Sequence, residues 1–389
     1  MTDGNAGRRV VASHTIARRA FRLAGGFAAV AVVWALVVLV RGGSWWGPLH
    51  AFLAGTVLSA IAGASQMFTI TWSASPAPPR VLAATQRVTL GAGTAAVLIG
   101  VVEGWPVAVW TGGGLLVVSL GLLAWSIRRT ITRSLLRRFD LASRFYLAAF
   151  ACGAVGVTLG AVLGSGQAGE AFWRMRLVHS HLNLVGLVGF TIVGTLPTFL
   201  PTLAHHRAVS GWEARAAWWL AVASAIAMFS GLWLGSGAVG IGTVLAAAAA
   251  LAMGVGIVVR LWEKGRRKLT FIQVAIGVGW LGGWAVADGL GLMAGGAPTP
   301  FGRGTLVAVT AGVGQVLLSS LAYLLPVVIG PPLEPKFGRM TARPAVPLAA
   351  ANLAGIAGVA GLGKVAAALV ALWVTDFVVR LIGLLRRGD

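Results

Sequence analysis

A chain whose apolar residues come in long unbroken runs must satisfy its own backbone wherever those runs leave water, and across a bilayer only helices and closed barrels do so. Here such runs begin close to residues 23, 49, 81, 106, 143, 177, 214, 237, 269, 304, 345 and 364. Each is near the roughly 20 residues that a transmembrane helix requires. The expected fold is therefore all-α, a polytopic membrane helix bundle of about 12 transmembrane helices. It is expected to form a single integral membrane domain over residues 1–389. The eleventh and twelfth runs are the least sharply divided, with only Gly361 to Lys364 between them.

Composition closes the alternatives. With 57% hydrophobic residues, 11% charged residues and a mean hydropathy of +0.85, the chain has too little polar surface for a soluble enzyme. A net charge of +21 would suggest nucleic acid in a soluble protein. Here the basic residues fall in short segments between apolar runs, as the positive-inside rule expects, and no nucleic-acid partner follows. With the N-terminus inside, all of the 31 Lys and Arg residues except Arg41, Arg174, Arg176, Arg303 and Lys364 lie on the cytoplasmic side. Both termini are thus expected to be cytoplasmic, in the plasma membrane, with the lipid bilayer as the main partner. The basic N-terminus runs into its apolar stretch without an A-x-A-like cleavage site and reads as a first transmembrane helix. Cys152 is the single cysteine, so a thiolate cluster cannot form, and any metal must rest on histidine, methionine, carboxylate or backbone.

An internal repeat organises the runs. Sliding His50 onto His181, an offset of 131 residues, also aligns Leu53 with Leu184, Gly55 with Gly186, Val57 with Val188, Ile61 with Ile192, Gly63 with Gly194 and Phe68 with Phe199. A fainter copy, offset by 125, places Leu196, Leu200 and Pro201 on Leu321, Leu325 and Pro326. Three pseudo-repeats of four helices are expected, over roughly 20–140, 141–265 and 266–389. The alternative is that these small residues only let helices pack closely.

Within this frame the stretch 172–201, FWRMRLVHSHLNLVGLVGFTIVGTLPTFLP, stands out. It sets His179, His181 and Asn183 at the head of an apolar run, where an ionisable side chain is costly without a partner. His179 and His181 point about 200° apart on a regular helix and cannot chelate one ion together. His179 and Asn183, four apart, share a face. His50 opens the second run behind RGGSWWGP and is either an interfacial histidine or a ligand facing His181 or His179. Equal placement in the repeat favours His50 with His181, both turned to the interior, with His179 directed elsewhere. Arg174 and Arg176 would neutralise a cofactor's acidic groups or anchor the helix at the interface. Asp288, in the ninth run, would orient a ligand histidine, whereas Asp376 has a structural partner in Arg380 at i+4. Gln315, Ser319 and Tyr323 form a polar stripe in the tenth run, lining an interior or holding helices together. His205 and His206, in LAHHRA, read as solvated loop residues, and nothing is read into His14.

About twelve helices in sets of four, an early histidine in the second and a histidine-rich sixth resemble subunit I of the heme-copper oxidase superfamily. The stretch HSHLNLVGLVGFTIVGTLPTFLP is similar to an HxHxN-x-x-G pattern in divergent, subunit-I-like and copper-oxidase-associated membrane proteins, and the NnrS group is a further similar set. The resemblance implies heme or copper bound near the outer face. His50 would match the low-spin heme ligand, and a redox or copper protein would dock outside. It implies electron transfer, copper handling or nitrogen-oxide chemistry. No histidine follows His206, so a complete oxygen-reducing dinuclear site is not expected. Two other readings stay open. The same histidines and Asp288 could line an ion or metal path in a transporter or channel, or the chain could be a cofactor-free partner of a redox complex.

Overall fold

The computed structural model describes residues 3–134, 139–204, 211–263, 269–296 and 302–386. Those residues form helices and contain no strand. In chain order the helices are α1 (Asp3–Arg41), α2 (Trp46–Trp72), α3 (Arg80–Val102), α4 (Pro106–Thr132), α5 (Asp140–Gly164), α6 (Phe172–Leu203), α7 (Trp212–Leu234) and α8 (Ser236–Glu263). They continue with α9 (Leu269–Met293), α10 (Arg303–Ile329), α11 (Leu333–Met340), α12 (Ala345–Val359) and α13 (Gly363–Arg386). Among the described residues eleven helices are long and apolar enough to cross a membrane, and α12 is a shorter apolar helix of 15 residues. The chain is a multi-pass helical membrane protein.

Two elements differ from the sequence expectation. α1 begins at Asp3 rather than near residue 23, because the basic segment continues the helix and packs along α2. Arg9 donates to the Ala74 carbonyl. A Cβ at Gly63 would meet Ala20, one at Gly55 would meet Phe27 and one at Gly47 would meet Trp34, so the two helices run side by side over their length. The second addition is α11, whose eight residues are too short and too mixed in polarity to read as an apolar run.

α2, α6 and α10 each contain a π-helical stretch, at Ala51–Val57, Leu182–Gly189 and Ala308–Gly314. The starts lie 131 and 126 residues apart, close to the offsets of the sequence matches. These three helices are also the most enclosed of the long ones, with 78%, 83% and 56% of their apolar windows buried against 44% or less elsewhere. The glycines that align in sequence also do the same work: Gly55 and Gly63 receive α1, while Gly186 and Gly194 receive Cys152 and Phe145 of α5.

The chain divides into two compact units, residues 1–194 with 228–235, and residues 195–227 with 236–389. In the first, α3 and α4 cross where Gly93 and Gly112 face each other's carbonyls, so that any Cβ there would collide with backbone. In the second, Gly240 of α8 and Gly289 of α9 repeat that reciprocal contact. Without a hydrophobic drive between lipid-facing helices, close backbone approach through small residues is what holds such pairs together.

Candidate functional site: a pair of fixed imidazoles

His50 lies on the first turns of α2, just before its π-helical stretch. Its Nδ1 donates to the Trp46 carbonyl, one turn back, at 2.8 Å. The Trp46 ring stacks on the imidazole, with centroids 4.3 Å apart. A carbonyl can only accept, so this bond assigns the proton to Nδ1 and leaves Nε2 with its lone pair.

His179 is held in the same way by a different helix. Its Nδ1 donates to the Gly156 carbonyl of α5 at 2.7 Å. The ring lies so close to Gly160 that a Cβ there would come within 2.6 Å of Cε1 and 2.9 Å of Nδ1. Asn183 donates to the His179 carbonyl at 2.8 Å, and its carboxamide fills the space that a side chain at Gly156 would take. Asn183 Nδ2 is also 3.3 Å from His179 Nδ1, but the nearer Gly156 oxygen decides the tautomer. Two glycines four apart on α5 thus form the seat of His179, and Asn183 braces it from its own helix.

The two rings face each other. The His50 and His179 centroids are 6.3 Å apart and their planes differ by 13°. That separation is too wide for rings in van der Waals contact. Two imidazoles that share one metal have ring centres about this far apart, with about 2 Å of bond on each side and about 1.1 Å from each nitrogen to its ring centre, when both Nε2 lone pairs lie along the line between the rings. Both histidines are half-buried.

The expected pairing of His50 with His181 is corrected: the ring that faces His50 belongs to His179. His181 is buried at 5% exposure and turns its Nδ1 back to the Leu177 carbonyl at 2.9 Å, with Ser180 Oγ 3.3 Å away. The equivalence in the repeat has a local counterpart, because His50 and His181 each bond the carbonyl four residues earlier. Equivalent position does not imply contact, however, and it is the opposite face of α6, seated on α5, that meets His50. The expectation that His179 and His181 diverge holds.

Arg174 is exposed, and Arg176, half-buried one turn before His179, lies over the Trp173 ring at 5.4 Å. Asp288, Gln315 and Tyr323 belong to the second unit. Asp288 is half-buried on α9, Gln315 is fully buried on α10, and Tyr323 stacks on Phe337 of α11 with centroids 5.3 Å apart. Asp376 and Arg380 form the expected ion pair, at 2.7 Å. His205 and His206 lie outside the described residues. Sequence reasoning missed Trp46, Gly156 and Gly160, although G-V-T-L-G over 156–160 is a small-xxx-small signal for close approach to another helix. Among the described residues no group of three or more His, Cys, Asp or Glu side chains is placed to hold a metal ion.

Fold and site together define a multi-pass helical membrane protein that sets two imidazoles of fixed tautomer 6.3 Å apart within its first unit. Neither a known protein-family model nor a curated protein matches the chain.

Proposed function

We propose that the first unit binds a heme through His50 and His179, and that the chain is a divergent, oxidase-like membrane redox protein working near the outer face in electron transfer or nitrogen-oxide chemistry. The observation that carries this reading is the imidazole pair, 6.3 Å apart and nearly parallel, with each Nδ1 fixed by a carbonyl. Metal-ligating histidines as a rule donate their other ring N–H in this manner, which orients the ring and makes the free nitrogen a better ligand.

The size of the donor set favours heme over a copper ion held by protein alone. A porphyrin brings four nitrogens and asks the protein for axial ligands only, whereas protein-bound copper takes three or more side chains. Two neighbouring imidazoles, with no third His, Cys, Asp or Glu grouped with them among the described residues, fit the first case. Held by His50 and His179, such a heme would supply one-electron redox chemistry. The chain's own part is to fix both tautomers, to hold the rings at that separation and to shelter them among apolar helices.

Absorbance of the purified protein, expressed with heme supplied, tests the reading. A Soret band should be present, should be lost in His50→Ala and in His179→Ala, and should survive in His181→Ala. A colourless protein that takes up no heme on reconstitution would remove the proposal. A band lost in His181→Ala but retained in His179→Ala would return the ligand role to His181.

A further inference from the structure

The second unit contains a cleft at the end that carries α11, lined by Thr270 and Gln273 of α9, Leu318, Ser319 and Ala322 of α10, and the Asp376–Arg380 pair of α13. Its volume is about 20 Å³. One ordered water needs roughly 10–15 Å³ measured in this way, so the cleft suits a water or two and is too small for a lipid headgroup or a cofactor. Its inner wall is polar. Ser319 Oγ donates to Gln273 Oε1 at 3.3 Å, and Ser319, Gln273 and Thr270 are each buried at 5% exposure or less.

One turn further along the same face of α10 lies Gln315, at the end of the π-helical stretch. It is 0% exposed, and neither its Nε2 nor its Oε1 has a hydrogen-bond partner among the described residues. A primary carboxamide carries two donors and an acceptor. Leaving all of them unmet in an apolar interior costs more than ordering a water there. Arg380 does not supply the missing partner, since its guanidinium is engaged by Asp376 and by the Met340 and Arg343 carbonyls.

We propose that the second unit holds a water-filled inlet running from the cleft beside Asp376, past Thr270, Gln273 and Ser319, to the carboxamide of Gln315. Its ligand is water. Fourteen residues separate Gln315 from the end of α10 at Ile329, or about 21 Å of helix, so the inlet brings solvent to mid-membrane from one side. It is a route by which water, and the protons water carries, reach the interior of an otherwise apolar unit.

Thiol accessibility in the solubilised full-length protein, with Cys152 changed to Ala, tests this. Ser319→Cys and Gln315→Cys should react with a small cationic methanethiosulfonate at least about tenfold faster than Ala311→Cys, which is equally buried on the same helix, because the reactive thiolate forms only where water reaches. Equal, slow reaction at all three would overturn the inlet. If the variants do not fold, hydroxyl-radical footprinting of the unaltered chain decides. Trp373, which lines the cleft at 4% exposure, should be oxidised faster than Tyr146, which is buried at 1% and does not line it. Equal protection of the two rings would overturn the proposal.

Discussion

At the scale of single residues, the site depends on what is missing from α5. His179 fits because residues 156 and 160 carry no side chain, the first offering its carbonyl and the second its open face. Gly160→Ala should therefore push the imidazole off its seat, costing about 1–3 kcal/mol as overpacking does and lowering heme retention while the helical content stays unchanged. Gly114→Ala, where a Cβ meets nothing within 4 Å, is the matched control and should leave both readouts alone. Circular dichroism with heme titration measures the pair, and equal behaviour of the two variants would count against the seat. The divergence of His179 and His181 was legible in the sequence, since a spacing of two on a helix leaves no other choice. Their partners were not legible, because which face of α6 meets α2 is set by α5, and that contact joins residues 23 apart in the chain.

At the scale of elements, nearly every helix start was legible, because a run of about 20 apolar residues has no stable state in lipid except a helix. α11 was not, since its eight residues are held by neighbours rather than by their own pattern. Lys336, buried at 7%, donates to the Gly330 and Pro331 carbonyls beyond the end of α10. Arg380 of α13 donates to the Met340 and Arg343 carbonyls while Asp376 holds it in place. The Arg380 side chain is 9% exposed, so removing its counter-charge leaves a nearly buried cation. Asp376→Leu should destabilise the protein by about 3–5 kcal/mol, and the double change Asp376→Leu with Arg380→Leu should recover part of that loss, because an unmatched buried charge costs more than an absent pair. Thermal unfolding in detergent compares the three. A double variant no more stable than the single one would mean that the carbonyl contacts, and not the charge pair, anchor α11.

At the scale of the whole molecule, π-helical stretches occur in α2, α6 and α10, at spacings close to the sequence offsets, and so in both compact parts of the chain. Orientation matters to the proposed function, because it decides which compartment a heme held by the histidine pair would serve. Within the first unit, His50 opens α2 and His179 lies near the start of α6, at the same end as Glu103, which follows α3, and Glu170, which precedes α6. The histidine end also carries Arg41, Arg174 and Arg176, but the other end carries more, with Arg80 of α3, Arg128, Arg129 and Arg133 of the α4 terminus and Arg144 of α5. Positive charge is retained on the cytoplasmic side during insertion, so the more basic end should be inside and the histidine end outside. In a Cys152→Ala background, Glu170→Cys should be modified by an impermeant maleimide added to intact cells, whereas Arg133→Cys should react only after the membrane is opened. The reverse pattern would place the histidine pair at the cytoplasmic face, and an outer-face redox partner would then have no site to reach.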